Sequence, residues 1–94
     1  MFENVDWSHG AEHMFEKHGV TVEQANEALH DPMRLVLFPY KSQSGKSGWV
    51  IGFSQSFDDV LSIVVVKDDD DVEYGATGFR AENPERRDYL EGAE

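Results

Sequence analysis

Basic side chains are few in this 94-residue sequence, and their positions give the first clue to chemistry. From Pro32 to Phe57 there is no acidic residue, while Arg34, Lys41 and Lys46 make the window cationic. Strands disfavour Asp and Glu, which explains part of that gap. The stretch Tyr40 to Gly48, reading YKSQSGKSG, is a polar Ser/Gly loop and has no such explanation. A second basic group, Arg80, Arg86 and Arg87, follows towards the C-terminal end. Guanidinium and ammonium groups bind phosphates and stabilise charge developing on them. The plainer reading stays open, because Glu82, Asp88 and Glu91 lie close to Arg86 and Arg87 and can form surface ion pairs.

The histidines offer proton chemistry. His18 falls at the end of a predicted helix, where the helix dipole favours a protonated ring. It can serve as a general acid or base, or as a C-terminal cap. His9 and His13 stand at i and i+4, a spacing compatible with two metal ligands on one helical face. No third ligand and no HExxH pattern accompany them, so no metal is expected. The run Asp68 to Asp71 lacks the glycine and distal glutamate of a calcium loop and reads as a solvated hairpin tip. Gly45-Lys46-Ser47 resembles the tail of a phosphate-binding loop but lacks its first glycine and falls between two predicted strands. No cysteine is present, which removes thiol nucleophiles, thiolate zinc sites and disulfides, and makes a reducing cytoplasm the default location.

Hydrophobic spacing indicates what must hold these groups. After a short extended piece at Val5-Asp6-Trp7, Ser8 is expected to cap a helix running to about His18. Gly19 is its stop, and Ala11, Met14, Phe15 and His18 form its inner face. Thr21 and Gln24 form a capping box for a second helix, with Val20 packing on Ala25 as a staple. Val22, Ala25 and Leu29 make its stripe, and Asp31-Pro32 ends it. Strands are then expected at Leu35–Phe38, Trp49–Phe53, Val60–Lys67 and Val72–Thr77. The unbroken run Ile63 to Val66 suggests a central strand covered on both faces. Asn83 and Pro84 open a last helix that Gly92 can end. The expected fold is α+β: two N-terminal helices on one face of a small antiparallel sheet of three to four strands, then a C-terminal helix. No composition break divides residues 1–94, so a single domain is expected.

The net charge is −11, with an isoelectric point near 4.6. Such a balance speaks against a nonspecific nucleic-acid binder. It divides unevenly, −3 over residues 1–47 and −8 over 48–94, with the cationic window straddling the join. The expectation is a locally cationic face on an anionic protein, and a nucleic-acid site built on Lys41, Lys46 and Arg80 requires that they share it. No signal peptide is visible, and the longest apolar run is too short to span a bilayer, so no membrane partner is expected.

With these residues placed, the chain resembles the BrnT family of bacterial toxins, which have a RelE-like ribonuclease architecture. The resemblance runs from Trp7 to Tyr89. It is carried by Trp7, Lys17-His18-Gly19-Val20-Thr21, Asp31-Pro32, Ile51-Gly52 with Ser54, Leu61 to Val65, Arg80-Ala81, and Pro84-Glu85-Arg86-Arg87-Asp88-Tyr89. It implies the toxin of a type II toxin–antitoxin system, cleaving RNA without metal or cofactor. The partner implied is a small antitoxin with a DNA-binding domain, often ribbon-helix-helix. The matching catalytic candidates are His18, Lys46, Arg80, Arg86 and Tyr89, and Arg34, Tyr40, Lys41 and Arg87 are candidates for RNA binding. Family members carry an arginine just before the strand at Trp49–Phe53, where this chain has Ser47-Gly48-Trp49. That departure and the acidic charge suit an alternative, a RelE-like protein-interaction or regulatory domain that has lost nuclease activity. A third reading is a small-ligand module built on the Tyr40–Gly48 loop.

Overall fold

A computed structural model of the chain describes residues 1–92. Its best-specified element is the helix α2 (Val22–Leu29). The Thr21 hydroxyl accepts from the Gln24 N–H at 3.1 Å, and the Gln24 side chain accepts from the Thr21 N–H at 3.0 Å. Two otherwise orphaned N–H groups are thereby satisfied, as the sequence predicts. Ala25, Ala28 and Leu29 are buried beneath it, and Val20 is buried ahead of it.

The preceding helix α1 (Ala11–His18) starts later than expected. Ser8 does not cap it. The Ser8 N–H instead donates to Asp6 Oδ1 at 2.7 Å, and the chain turns once more before Gly10 enters the helix without a side-chain cap. Gly19 ends α1 in the left-handed conformation at φ 69°, its N–H donating to the Phe15 carbonyl. Met14 is buried, but Phe15 is 57% exposed, which corrects the expected inner face. An eight-residue helix lying on a sheet buries a narrower stripe than a four-residue face.

Four strands follow: β1 (Leu35–Leu37), β2 (Ser47–Ser54), β3 (Asp59–Lys67) and β4 (Glu73–Arg80). They pair antiparallel in chain order, β1-β2-β3-β4. The sheet is a meander because every connection is short. β4 runs three residues beyond the expected Thr77, and so carries Phe79 and Arg80 into the sheet. A register shift opposite Val64 and Val65 lets it continue. The N-terminal segment adds a parallel bridge from Asp6 to Tyr74 along the outer edge of β4.

α1 and α2 pack on one face of the sheet, α1 over β4 and α2 over β2 and β3. Met14, Leu29, Val50, Leu61, Ile63 and Val65 meet there in the main core. Burying each large aliphatic side chain contributes roughly 1.5–3 kcal/mol. Gly52 lets the layers close up, since a Cβ there would overlap the Ala28 carbonyl oxygen.

The last helix, α3 (Glu85–Leu90), begins one residue after the expected Pro84, and Asn83 contributes no cap. It adds a second, smaller core in which Ile51, Val60 and Ala81 are buried against Leu35, Leu37, Trp49 and Tyr89. β3 is internal, as expected, but only partly covered on its second face: Val64 and Val66 are half-buried. No helix among the described residues is long and apolar enough to cross a membrane.

Candidate functional site

The C-terminus of α1 and the end of β4 bring His18 and Arg80 together. With Lys17, Phe79 and Glu82 they line an open groove of about 520 Å³. The His18 ring lies 5.4 Å from that of Phe79 and 6.4 Å from that of His13, measured between ring centres. Neither Phe79 nor Arg80 belonged to the strand expected from the sequence, so only the extension of β4 creates this pairing.

Arg80 is held from one side. Its Nε lies 2.7 Å from Asp59 Oδ2, while Arg86 donates to Asp59 Oδ1 at 2.6 Å. One carboxylate at the start of β3 thus bridges both guanidiniums. The Arg86 bond, chiefly, holds the Asp59 carboxyl below the usual carboxylate range. Arg80 is nevertheless 69% exposed and available at the groove.

The other cations are dispersed. Lys46 precedes β2 and accepts the Lys67 N–H on its carbonyl at 2.8 Å, whereas Arg80 is in register with Leu61. Six residues of strand separate these levels, about 20 Å at ~3.3 Å per residue. Lys46 and Arg80 therefore occupy opposite ends of the sheet, and Lys41, Lys46 and Arg80 do not converge on one site. Lys46 pairs instead with Asp69 in the β3–β4 turn at 2.6 Å. Arg34 is bound by Glu3 at 2.7 Å, and Arg87 stays on the surface 3.9 Å from Asp88.

Tyr89 is engaged away from the groove. Its hydroxyl donates to Asp31 Oδ2, and that carboxylate also accepts the N–H groups of Phe53 at 2.8 Å and Met33 at 2.9 Å. Burial and the Asp31 bond push the Tyr89 phenol up to about 12. Burial works against the Asp31 charge, yet the bonds from Tyr89, Phe53 and Met33 outweigh it and hold the carboxyl below its ordinary value.

Sequence reasoning missed Glu85 as a site residue, naming it only among the residues that carry the family resemblance. It is 4% exposed and accepts from the Tyr40 hydroxyl at 2.5 Å, with Lys41 Nζ 3.1 Å from the same oxygen. Lys41 lies over the Trp49 ring, 4.7 Å from its centre. Trp49 makes edge contacts with Tyr40 and Phe79, so aromatic rings run from the 40–46 loop across the sheet to His18. No signal in a single sequence pairs Tyr40 with a residue on a later helix.

Two further grooves carry none of the catalytic candidates. One of about 610 Å³ is lined by Glu3, Asp6, Asp71 and Glu73 among others, a set of charges that repels phosphate. The other, about 300 Å³, lies beside Glu27, Asp31 and Phe53. The 40–48 loop lines neither of them. That loop is shaped by its own serines: Ser42 Oγ accepts the N–H groups of Gly45 at 3.0 Å and Ser47 at 3.2 Å. His9, raised by spacing as a metal ligand, packs its ring against Tyr74.

No protein-family model matches the chain, and no curated protein matches it.

Proposed function

We propose that this chain is the toxin of a type II toxin–antitoxin pair of BrnT type, an endoribonuclease needing no metal. The observation that carries this reading is the shared groove of His18 and Arg80, residues distant in sequence and suited to two different parts of one reaction. In that reaction a ribose 2′-hydroxyl oxygen attacks the adjacent phosphorus. The bond to the 5′-oxygen breaks, and a 2′,3′-cyclic phosphate is left. The His18 imidazole takes the 2′-hydroxyl proton, water supplies a proton to the leaving 5′-oxygen, and the Arg80 guanidinium stabilises charge on the phosphoryl oxygens. Phe79 offers ring surface in the groove on which an unpaired base stacks.

A second reading, a RelE-like domain without nuclease activity that acts through a protein partner, is favoured by a different observation. Arg34, Lys41, Lys46, Arg80 and Arg86 each have a carboxylate oxygen within 3.1 Å. A phosphate must compete with these internal partners.

The deciding experiment incubates the purified chain with labelled single-stranded RNA in a chelating buffer and examines the product ends. Cleavage to 2′,3′-cyclic ends, slowed ~10²–10⁴-fold by His18→Gln, supports the first reading. No cleavage, together with unimpaired growth of an expressing host, overturns it in favour of the second. A short neighbouring gene for a DNA-binding protein is expected under both.

A further inference from the structure

The surroundings of Lys41 have the composition of a cation receptor. Two aromatic rings, Tyr40 and Trp49, stand at 74° with centres 5.4 Å apart. The Lys41 ammonium lies 4.7 Å from one ring centre and 5.4 Å from the other. The Glu85 carboxylate closes the arrangement at 3.1 Å. Its side chain is 5% exposed, while that of Lys41 is 53% exposed. A charge buried this deeply is sustained only by partners, and the Tyr40 hydroxyl supplies one of them. Ring faces and a desolvated carboxylate together attract an ammonium group.

The occupant Lys41 shares its loop with Tyr40, whereas the other two receptor residues belong to regular elements. Trp49 is anchored in β2 and Glu85 in α3, whereas Lys41 sits in the β1–β2 loop. Its φ of 50° lies in the left-handed region, which a non-glycine residue rarely adopts. Withdrawing the Lys41 side chain leaves two rings and a buried carboxylate without their cation. The whole chain carries −11, so a basic partner is the electrostatic complement.

We propose that Tyr40, Trp49 and Glu85 form a receptor for a lysine side chain of a basic protein partner, with Lys41 as the stand-in ligand in the free chain. The incoming ammonium displaces Lys41 and takes its place between the rings and the carboxylate. This assignment goes beyond the RNA reading and rests on a separate set of side chains from the His18–Arg80 pair.

The test uses the full ¹⁵N-labelled chain and its Lys41→Ala variant, titrated with Nα-acetyl-lysine methylamide. The readout is the indole N–H resonance of Trp49, with that of Trp7 as the reference for an intact fold. Lys41→Ala is expected to show a saturable Trp49 shift at least ~10-fold tighter than wild type, because a tethered competitor has been removed. The neutral analogue acetylated on its ε-amine is expected to give no shift, and Lys41→Ala with Glu85→Gln is expected to lose the response while Trp7 stays unchanged. The proposal is overturned by no saturable shift in Lys41→Ala, by equal binding of the neutral analogue, or by equal affinity in wild type. The titration reads Trp49, so its outcome is separable from RNA cleavage at His18.

Discussion

The Tyr89 hydroxyl of α3 donates to Asp31 Oδ2, the carboxylate that also receives the Phe53 N–H of β2. One side chain at the end of α2 therefore ties three elements together. A hydrogen bond to a charged acceptor contributes about 1.5–3 kcal/mol. Tyr89→Phe keeps the ring in the second core and removes only the donor. Its thermal midpoint is expected to fall by roughly 6–24 °C. An unchanged melt contradicts the tie.

The carboxyls of Asp31, Asp59, Glu27 and Glu85 are all held below their ordinary values in the folded chain. Lowered carboxylates stabilise above their unfolded pKa, near 4, and that stability is lost as pH falls through the folded pKa. Urea midpoints are therefore expected to hold near neutrality and decline below about pH 4. Tyr89 has the opposite sign, because its phenol rises to about 12. Its contribution is present below the unfolded value near 10 and is lost as pH climbs through 12. The bond to Glu85 raises the Tyr40 phenol and burial raises that of Tyr74, so an alkaline decline that is smaller in Tyr89→Phe than in wild type is the expected signature.

Gly52 marks the closest approach of α2 to the sheet, where an added methyl overlaps the Ala28 carbonyl oxygen. Neither partner is a flexible side-chain end, so the layers must separate. Gly52→Ala is expected to destabilise by about 3 kcal/mol or more, the upper part of the overpacking range. Chemical denaturation against wild type measures it, and a loss below 1 kcal/mol would contradict the packing.

Asp59 pairs with Arg80 and Arg86 at once. Asp59→Asn leaves both guanidiniums without their anion, so affinity for a short RNA is expected to rise several-fold and to become more dependent on salt. The same change is expected to lower stability by about 1–3 kcal/mol. Anisotropy titrations and thermal melts separate the two effects; affinity that falls or stays constant would show that Asp59 does not mask these arginines.

Local rules in the sequence determined much of this protein. The Thr21–Gln24 capping box, the Gly19 stop and the switch to strand spacing after Pro32 each act over a few residues, and each produced the expected element. Together they suffice for the α+β order and the antiparallel meander, because short connections leave neighbouring strands few ways to pair. Where local signals were weak, the outcome came from the tertiary structure: Ser8 forms a turn instead of a cap, Phe15 faces outward, and β4 continues to Arg80 because β3 offers it a ladder. The candidate site divides the same way. His18, Arg80, Tyr40 and Lys41 could be named from residue type, but their partners Asp59 and Glu85 could not, nor could the separation of Lys46 from Arg80. A carboxylate chooses among cations by distance and burial, and both are set only when strands and helices far apart in the chain have packed.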